Sequence, residues 1–393
     1  MKLSNPLPLL ILMVIFSPLA IDIFLPALPI MASELSVSLT QMQWSISAFI
    51  LSMGFGQLIS GPMADKYGRK PVAIIGVVIY GISSLFAANA DSFEFLLAAR
   101  LLQGLGACAI VVAAFACVRD RYDALRSGMM YSYLNGAICC IPAMAPLLGN
   151  VLTEYFGWRS NFDFMALYAA IAGVIIMLLL TESRPTDTVV SKKLFSLKPY
   201  IKVLVHPVFL FNSIIVMLAM SIILAYVTSS PAWLMVKLGL DREAFVFWFS
   251  INAVLNIVGC VVAPRILLNW GARLTIGLGM ISIIGSGFLM LALRDWQDAM
   301  GFMLPVMLSS LGFSMLMGAC AGQALSSFGQ NAGTASALLG FMQMSGSALV
   351  VFLLQMLPIR ATDQLSILML SFIPVYALWK SAAIKKHIFT EPV

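Results

Sequence analysis

The sequence has 393 residues, of which 61% are hydrophobic and 10% charged, and its mean hydropathy is +0.97. Soluble domains use roughly 45–50% apolar residues, so this composition excludes a water-soluble globular protein and predicts an integral membrane protein. The formal net charge of +6 arises from cations spread over short loops, so we expect no nucleic-acid partner.

Apolar stretches recur along the chain, each close to the ~20 residues that a helix needs to cross a bilayer. We predict an all-α membrane protein with about twelve transmembrane helices in two pseudo-symmetric six-helix bundles. The predicted spans are 7–28, 42–64, 71–90, 93–118, 127–152, 161–181, 207–230, 243–268, 273–293, 298–323, 333–357 and 364–384.

The longest polar segment divides the chain into a predicted N-terminal bundle (1–181), a cytoplasmic linker (182–206) and a C-terminal bundle (207–393). Placing the N-terminus in the cytoplasm puts seventeen of the 23 Lys and Arg residues inside and five outside, which predicts that both termini are cytoplasmic. The turn at 61–70 has a weak counterpart at 263–273, as duplicated halves would give.

Two charges lie well inside the predicted spans, away from their ends: Asp22 in the first and Arg100 in the fourth. A charge at membrane depth costs roughly 2.5–3.5 kcal/mol, so each is a functional candidate. If the two spans run in opposite directions, both residues lie at about the same depth, given the ~1.5 Å rise per residue, and we expect them to meet. A buried acid beside an arginine can bind and release a proton. The alternatives are a snorkelling arginine and an aspartate at the interface.

The turn after the second span contains Gly61 and Gly68, which we expect to reverse the chain, and clusters charge at the inner surface. Asp65 could cap the helix of the eleventh predicted span (333–357), which opens at Asn331. Arg69 could reach Asp120. The alternative is a tight turn anchored by basic residues.

The fifth span contains Pro142, Pro146 and Gly149. The prolines remove backbone donors and should bend the helix, while the glycine allows a close neighbour. Prolines are also common in membrane helices that have no special role.

Several polar and aromatic side chains fall near mid-depth, where a solute could bind between the bundles. The amides could equally hydrogen-bond to neighbouring helices. The candidate cavity residues are Asn135, Asn256, Gln343, Tyr131 and Tyr226, with Trp233 as a further aromatic group.

Several strings occur in a characteristic order: DIFLPALP from Asp22, GPMADKYGRK from Gly61, RLLQGLGA from Arg100, PAMAPLLG from Pro142, GWRSNF from Gly157 and AGTASALLGFMQ from Ala332. Together they resemble the major facilitator superfamily, and within it the twelve-span drug/proton antiporters of the Bcr/CflA group.

This resemblance implies that Arg100, with Gln103, belongs to a proton-coupling network. It also implies that 61–70 is a gating loop and that the fifth span carries the antiporter signature. The chain departs from that signature at Asn150, where a second glycine is usual.

The predicted function is therefore proton-coupled antiport across a bacterial inner membrane, exporting small neutral or zwitterionic amphiphiles, such as chloramphenicol- or bicyclomycin-like drugs, by alternating access. The main alternative is an exporter dedicated to one metabolite, such as a siderophore or an amino acid. A proton-coupled importer is a third interpretation.

An enzyme is not expected, because no histidine lies in a span to act as a base. The cysteines show no metal or redox spacing, so we expect no metal and no cofactor. The expected partners are the solute, protons and the lipid bilayer, with the protein acting as a monomer.

Overall fold

The computed structural model describes residues 6–122, 124–184, 197–326, 328 and 332–381, with the backbone alone at 124–129, 132, 197–199 and 332. Within these ranges the secondary structure is helical, with no β-strand. The helices are α1 (Leu7–Val14), α2 (Phe16–Asp22), α3 (Leu28–Glu34), α4 (Leu39–Tyr67), α5 (Arg69–Ala88), α6 (Phe93–Arg121), α7 (Ala124–Phe156), α8 (Arg159–Leu179), α9 (Leu197–Leu204), α10 (Pro207–Ser230), α11 (Arg242–Leu293), α12 (Ala299–Leu325), α13 (Ala332–Phe341), α14 (Ser347–Gln355), α15 (Ala361–Leu370) and α16 (Phe372–Lys380).

Eleven helical segments of the described chain are long and apolar enough to cross a membrane. One of them, α11, has 52 residues and contains Gly271 in an extended conformation with φ 76° and ψ 164°. Two spans therefore meet at this glycine. Counted separately, they bring the total to twelve and confirm the predicted all-α membrane fold.

The first span is broken, because proline interrupts its hydrogen bonding twice. Pro18 and Pro26 have no N–H, so the carbonyls of Val14 and Asp22 lose their usual helical donors. The chain leaves the α-helix after Asp22, makes a 3₁₀ turn at Leu25–Ala27 and resumes as α3. Asp22 thus ends α2 beside backbone groups that side chains can bind.

The hairpin between α4 and α5 turns at Gly68, whose φ of 103° and ψ of 161° suit glycine alone. The expectation that Gly61 also forms the turn is wrong, because Gly61 and Pro62 lie inside α4. Pro62 removes only one hydrogen bond near the helix end, and a single glycine in this conformation is enough to reverse the chain.

Glycines bring helix backbones into contact in both halves of the chain. Between α5 and α6, a Cβ on Gly106 would lie 2.7 Å from the carbonyl oxygen of Gly76. Between α11 and α12, a Cβ on Gly312 would lie 2.8 Å from the carbonyl oxygen of Gly279. We call these two backbone contacts the glycine seams.

A second contact also recurs beside each glycine seam. A Cβ on Gly56 would lie 2.9 Å from the Cβ of Cys108, and a Cβ on Gly259 would lie 3.0 Å from the Cβ of Ser314. Gly271 in turn reproduces the extended, positive-φ conformation of the first hairpin glycine. The recurrence supports the internal repeat that the two turns indicated.

The chain divides into two compact units, one of Met1–Phe195 with Asp241–Ser250 and one of Ser196–Leu240 with Ile251–Val393. The boundary falls inside the predicted linker, 182–206, which also contains α9. This division differs from the predicted uninterrupted bundles, because the first residues of α11 group with the first unit.

We expect Gly106→Ala to destabilise the first unit, because the new Cβ would lie 2.7 Å from backbone atoms of both Gly76 and Tyr80. Overpacking of this kind costs roughly 1–3 kcal/mol, so the purified protein should unfold at a lower temperature in detergent. Gly285→Ala is the matched control, since no described atom lies within 4 Å of its Cβ position. An equal loss of stability in both variants would contradict the importance of the seam.

Candidate functional site: a buried arginine beside a broken helix

Arg100 lies on α6 and is fully buried. Its Nη2 donates to the carbonyl oxygen of Ala20 at 2.8 Å, and its Nε donates to the carbonyl oxygen of Ser45 at 3.3 Å. Its Nη1 donates to Oε1 of Gln103. The planar guanidinium therefore joins α6 to the first span and to α4.

Aromatic rings cover the faces of this guanidinium. The Cζ of Arg100 lies 4.5 Å from the ring centroid of Phe49 and 4.8 Å from that of Phe24. A cation over an aromatic ring is attracted by the electrons of the ring face. The alternative of an arginine snorkelling to the interface is therefore wrong for this structure.

Gln103 extends the network towards α5. It is fully buried, and its Nε2 donates to Oγ of Ser84 at 2.7 Å. Its oxygen is already bound by Arg100, so the amide carries a continuous hydrogen-bond path from Ser84 to the arginine.

Asp22 is also buried, with 3% of its surface exposed. Within the described chain, however, its carboxyl forms no ion pair with Arg100 and accepts no hydrogen bond. The predicted contact between the two charges is therefore absent from this conformation. Two backbone carbonyls and Gln103 accept from three of the five N–H groups of the arginine instead, and Arg100 binds the first span two residues before Asp22.

Three side chains bind one face of the first span. The Tyr168 hydroxyl donates to the carbonyl of Leu12 at 2.6 Å, and the Tyr80 hydroxyl donates to the carbonyl of Phe16 at 3.2 Å. Arg100 binds the carbonyl one turn further on. Residues four apart share a helix face, so these donors from α8, α5 and α6 hold the span along a single side.

Gly149 contacts the first span just after Asp22. A Cβ on Gly149 would lie 1.6 Å from the carbonyl oxygen of Ile23, so only glycine permits this approach. Pro142 and Pro146 lie inside α7, which continues as one helix through both of them. Within the predicted antiporter signature, Gly149 is therefore in direct contact with the broken span.

A second cluster of charges lies at the hairpin between α4 and α5. Arg69 is 1% exposed, and its Nε lies 2.7 Å from Oδ2 of Asp120. Its Nη1 lies 2.8 Å from Oδ1 of Asp65. The predicted contact of Arg69 with Asp120 is thus confirmed. Capping of the eleventh predicted span (333–357) by Asp65 stays a prediction, because Asn331, where that helix is expected to open, lies outside the described residues.

Glu182 completes this cluster, although no spacing or motif singles it out within the polar linker. Its carboxylate accepts from the backbone N–H groups of Arg69 at 2.9 Å and Lys70 at 3.1 Å, and so caps the N-terminus of α5. Burial disfavours its charged form. Four backbone N–H donors, including those of Ser183 and Arg184, nevertheless hold the pKa of Glu182 below its ordinary value.

The predicted cavity residues lie in both units. In the first unit Asn135 is exposed, while Tyr131 stacks on Phe115 with ring centroids 5.6 Å apart. A solute site at these residues stays a prediction.

In the second unit, Asn256 accepts from Cys260, and Gln343 lies in a wide π-type turn, Met342–Gly346. Tyr226 is 2% exposed and packs against Phe302, so its ring is not open to a solute in this conformation.

Comparison with known proteins gives a consistent relationship. The family model described as Major Facilitator Superfamily matches residues 10–351. Multidrug resistance protein MdtL of Salmonella paratyphi A is 32% identical over 354 residues, which cover 90% of this chain and 88% of that protein. MdtL of Salmonella dublin is 32% identical over 353 residues with the same coverage.

Two solved structures share the fold. A D-xylose–proton symporter superimposes with a TM-score of 0.78 at 14% sequence identity, covering 95% of this chain and 96% of that one. The human organic anion transporter MFSD10 (TETRAN) gives a TM-score of 0.70 at 14% identity, with 95% and 98% covered.

We expect Arg100→Lys to destabilise the protein, because an ammonium group cannot reach two helix carbonyls and Gln103 at once. Each buried acceptor left without a donor costs roughly 1–3 kcal/mol, so thermal unfolding in detergent should occur at a lower temperature. Arg121→Lys is the control, since that side chain binds Thr181 near the surface. Unchanged stability of the Arg100 variant would show that its contacts are dispensable.

We also expect Glu182 to contribute stability that is lost in acid. The pKa of Glu182 lies below its ordinary value of 4.5 in the folded protein, so its contribution is present above that value and disappears as the pH falls through the folded pKa. The unfolding temperature of the wild type should therefore fall more steeply than that of Glu182→Gln as the pH drops below about 5. Parallel pH profiles would rule out this role.

Proposed function

Because the chain belongs to the Major Facilitator Superfamily, as its motifs predicted, we propose that it exports small amphiphilic drugs in exchange for protons. It is a multi-pass membrane transporter and not an enzyme. The drug-export part of the proposal draws on the similarity to the multidrug resistance proteins MdtL.

The observation that carries the proton-coupling proposal is the burial of Asp22 at the break in the first span. A buried carboxylate without an ion-pair partner or hydrogen-bond donor is costly, so these surroundings favour the uncharged acid. Turning of the Asp22 side chain towards Arg100, or entry of water, would favour the carboxylate. Asp22 can therefore bind a proton in one conformation and release it in another.

The membrane potential supplies the driving force for such a cycle. A proton that enters the cell gains roughly 2.3 kcal/mol per 100 mV, which can drive the outward movement of a solute. In this cycle Arg100 stays fixed by two helices while Asp22 changes its charge. The hairpin cluster around Arg69 closes the cytoplasmic side when the site faces outward.

We propose neutral or zwitterionic amphiphiles as substrates, because Asp22 is the one acid that the described first span carries before its outer end at Glu34. Lipophilic cations would require a further acid deeper in the span. The proposed location is a bacterial inner membrane, with both termini in the cytoplasm and the protein acting as a monomer.

We expect Asp22→Asn to abolish substrate-driven proton release in everted membrane vesicles, with chloramphenicol as the probe solute and a pH-sensitive dye as the readout. Exchange of labelled for unlabelled chloramphenicol should persist, because it needs no net proton movement. Asp163→Asn is the matched control, since that acid lies in the same unit and is exposed. Proton release by the Asp22 variant at the wild-type rate would refute the coupling role.

A further inference from the structure

Asn161, in the first turn of α8, is fully buried, yet its Oδ1 has no hydrogen-bond partner in the described part of the chain. Its Nδ2 donates to Oγ1 of Thr153 at 2.8 Å and to the carbonyl of Trp158 at 3.0 Å. These two acceptors fix the direction of the amide. A buried acceptor without a donor costs roughly 1–3 kcal/mol, so this oxygen requires a functional explanation.

The free oxygen faces the break in the first span. It lies 3.2 Å from the point that a Cβ of Gly149 would occupy, and the carbonyl oxygen of Ile23 lies 1.6 Å from the same point. The next residue of α8, Phe162, packs on Phe24 with ring centroids 5.3 Å apart. The start of α8 therefore lies directly against the segment that follows Asp22.

Two acceptors, the Ile23 carbonyl and Oδ1 of Asn161, lie together at this break, one residue after Asp22. Neither can donate, whereas a protonated Asp22 has one O–H to donate. A proton on Asp22 is the donor that fits.

We propose that Asn161 is a positioning residue for the proton site. In the loaded state its Oδ1 accepts a hydrogen bond from the O–H of Asp22, either directly or through one water. When the proton passes to water on the cytoplasmic side, this hydrogen bond is lost and the carboxylate turns towards donors elsewhere. The inference rests on the proton coupling proposed above.

Other charged and titratable groups around the first span have separate roles. Three of them bind carbonyls of the part of the span that precedes the break: Arg100 on α6, Tyr80 on α5 and Tyr168 on α8. Glu154 on α7 and Asp163 on α8 are exposed. None of them supplies the acceptor that a neutral Asp22 needs.

The test is the pH profile of transport. Asn161→Ala removes the acceptor of the neutral acid, so a given degree of protonation of Asp22 should require a higher proton concentration. We expect the midpoint of chloramphenicol-driven proton release in proteoliposomes to move to lower pH by about one unit, a tenfold change in proton affinity that corresponds to one hydrogen bond. Asn212→Ala is the matched control, because Asn212 is a buried asparagine of the second unit that binds its own helix.

Thr153→Val provides a second variant should Asn161→Ala fold poorly. It removes the acceptor that holds Nδ2, which frees the amide to turn and present a donor to Asp22, so the midpoint should move in the same direction. Unshifted midpoints in folded variants would overturn the inference while proton coupling stands. A midpoint that follows the sodium concentration instead of the pH would also overturn it. No proton release by the wild type would overturn both proposals.

Discussion

A guanidinium buried away from water must find acceptors in the protein, and this constraint organises the first unit. Arg100 takes one carbonyl from the first span and one from α4, and the amide of Gln103 takes up a further donor. The carbonyl of Ala20 is open to it because α2 ends at Asp22, so the N–H of Phe24 does not make the usual helical bond to this carbonyl. The broken helix and the buried arginine therefore depend on each other: without the break the arginine lacks an acceptor, and without the arginine the broken backbone lacks a donor.

The same constraint gives the first span two unlike sides. Donors from α5, α6 and α8 hold one side through successive carbonyls, so that side is fixed. Around Ile23 the span instead meets Gly149 and the oxygen of Asn161, a contact without a hydrogen-bond donor. Within the described chain, no side chain of another helix donates a hydrogen bond to the span at this point. Asp22 lies at the junction of the fixed and the adaptable parts, which suits a group that must change its charge and its surroundings together.

The sequence was informative where a physical rule acts along the chain. Hydropathy predicted the spans, and the order of the spans predicted the Arg69–Asp120 contact, because it places the hairpin and the end of the fourth span at the same membrane surface. Matched depth did not predict the surroundings of Asp22 and Arg100, because depth along two helices leaves their rotation undetermined. Glu182 and Asn161 were missed for a related reason: their roles depend on partners brought close by folding. Tyr226 was assigned to an open cavity from depth alone, whereas packing on Phe302 buries it.

The glycine seams also bear on how the two halves diverged. Gly106 and Gly312 occupy equivalent positions in the two seams. The residue six positions before each is Arg100 in the first unit and Val306, a buried apolar residue, in the second. Both halves thus share these backbone contacts, while among the described residues the buried Arg100 has an apolar counterpart. At Val306 the helix faces no buried guanidinium, so a substitution there leaves no charge unpaired, whereas loss of a partner of Arg100 does. The glycines hold the same backbone contacts in both units.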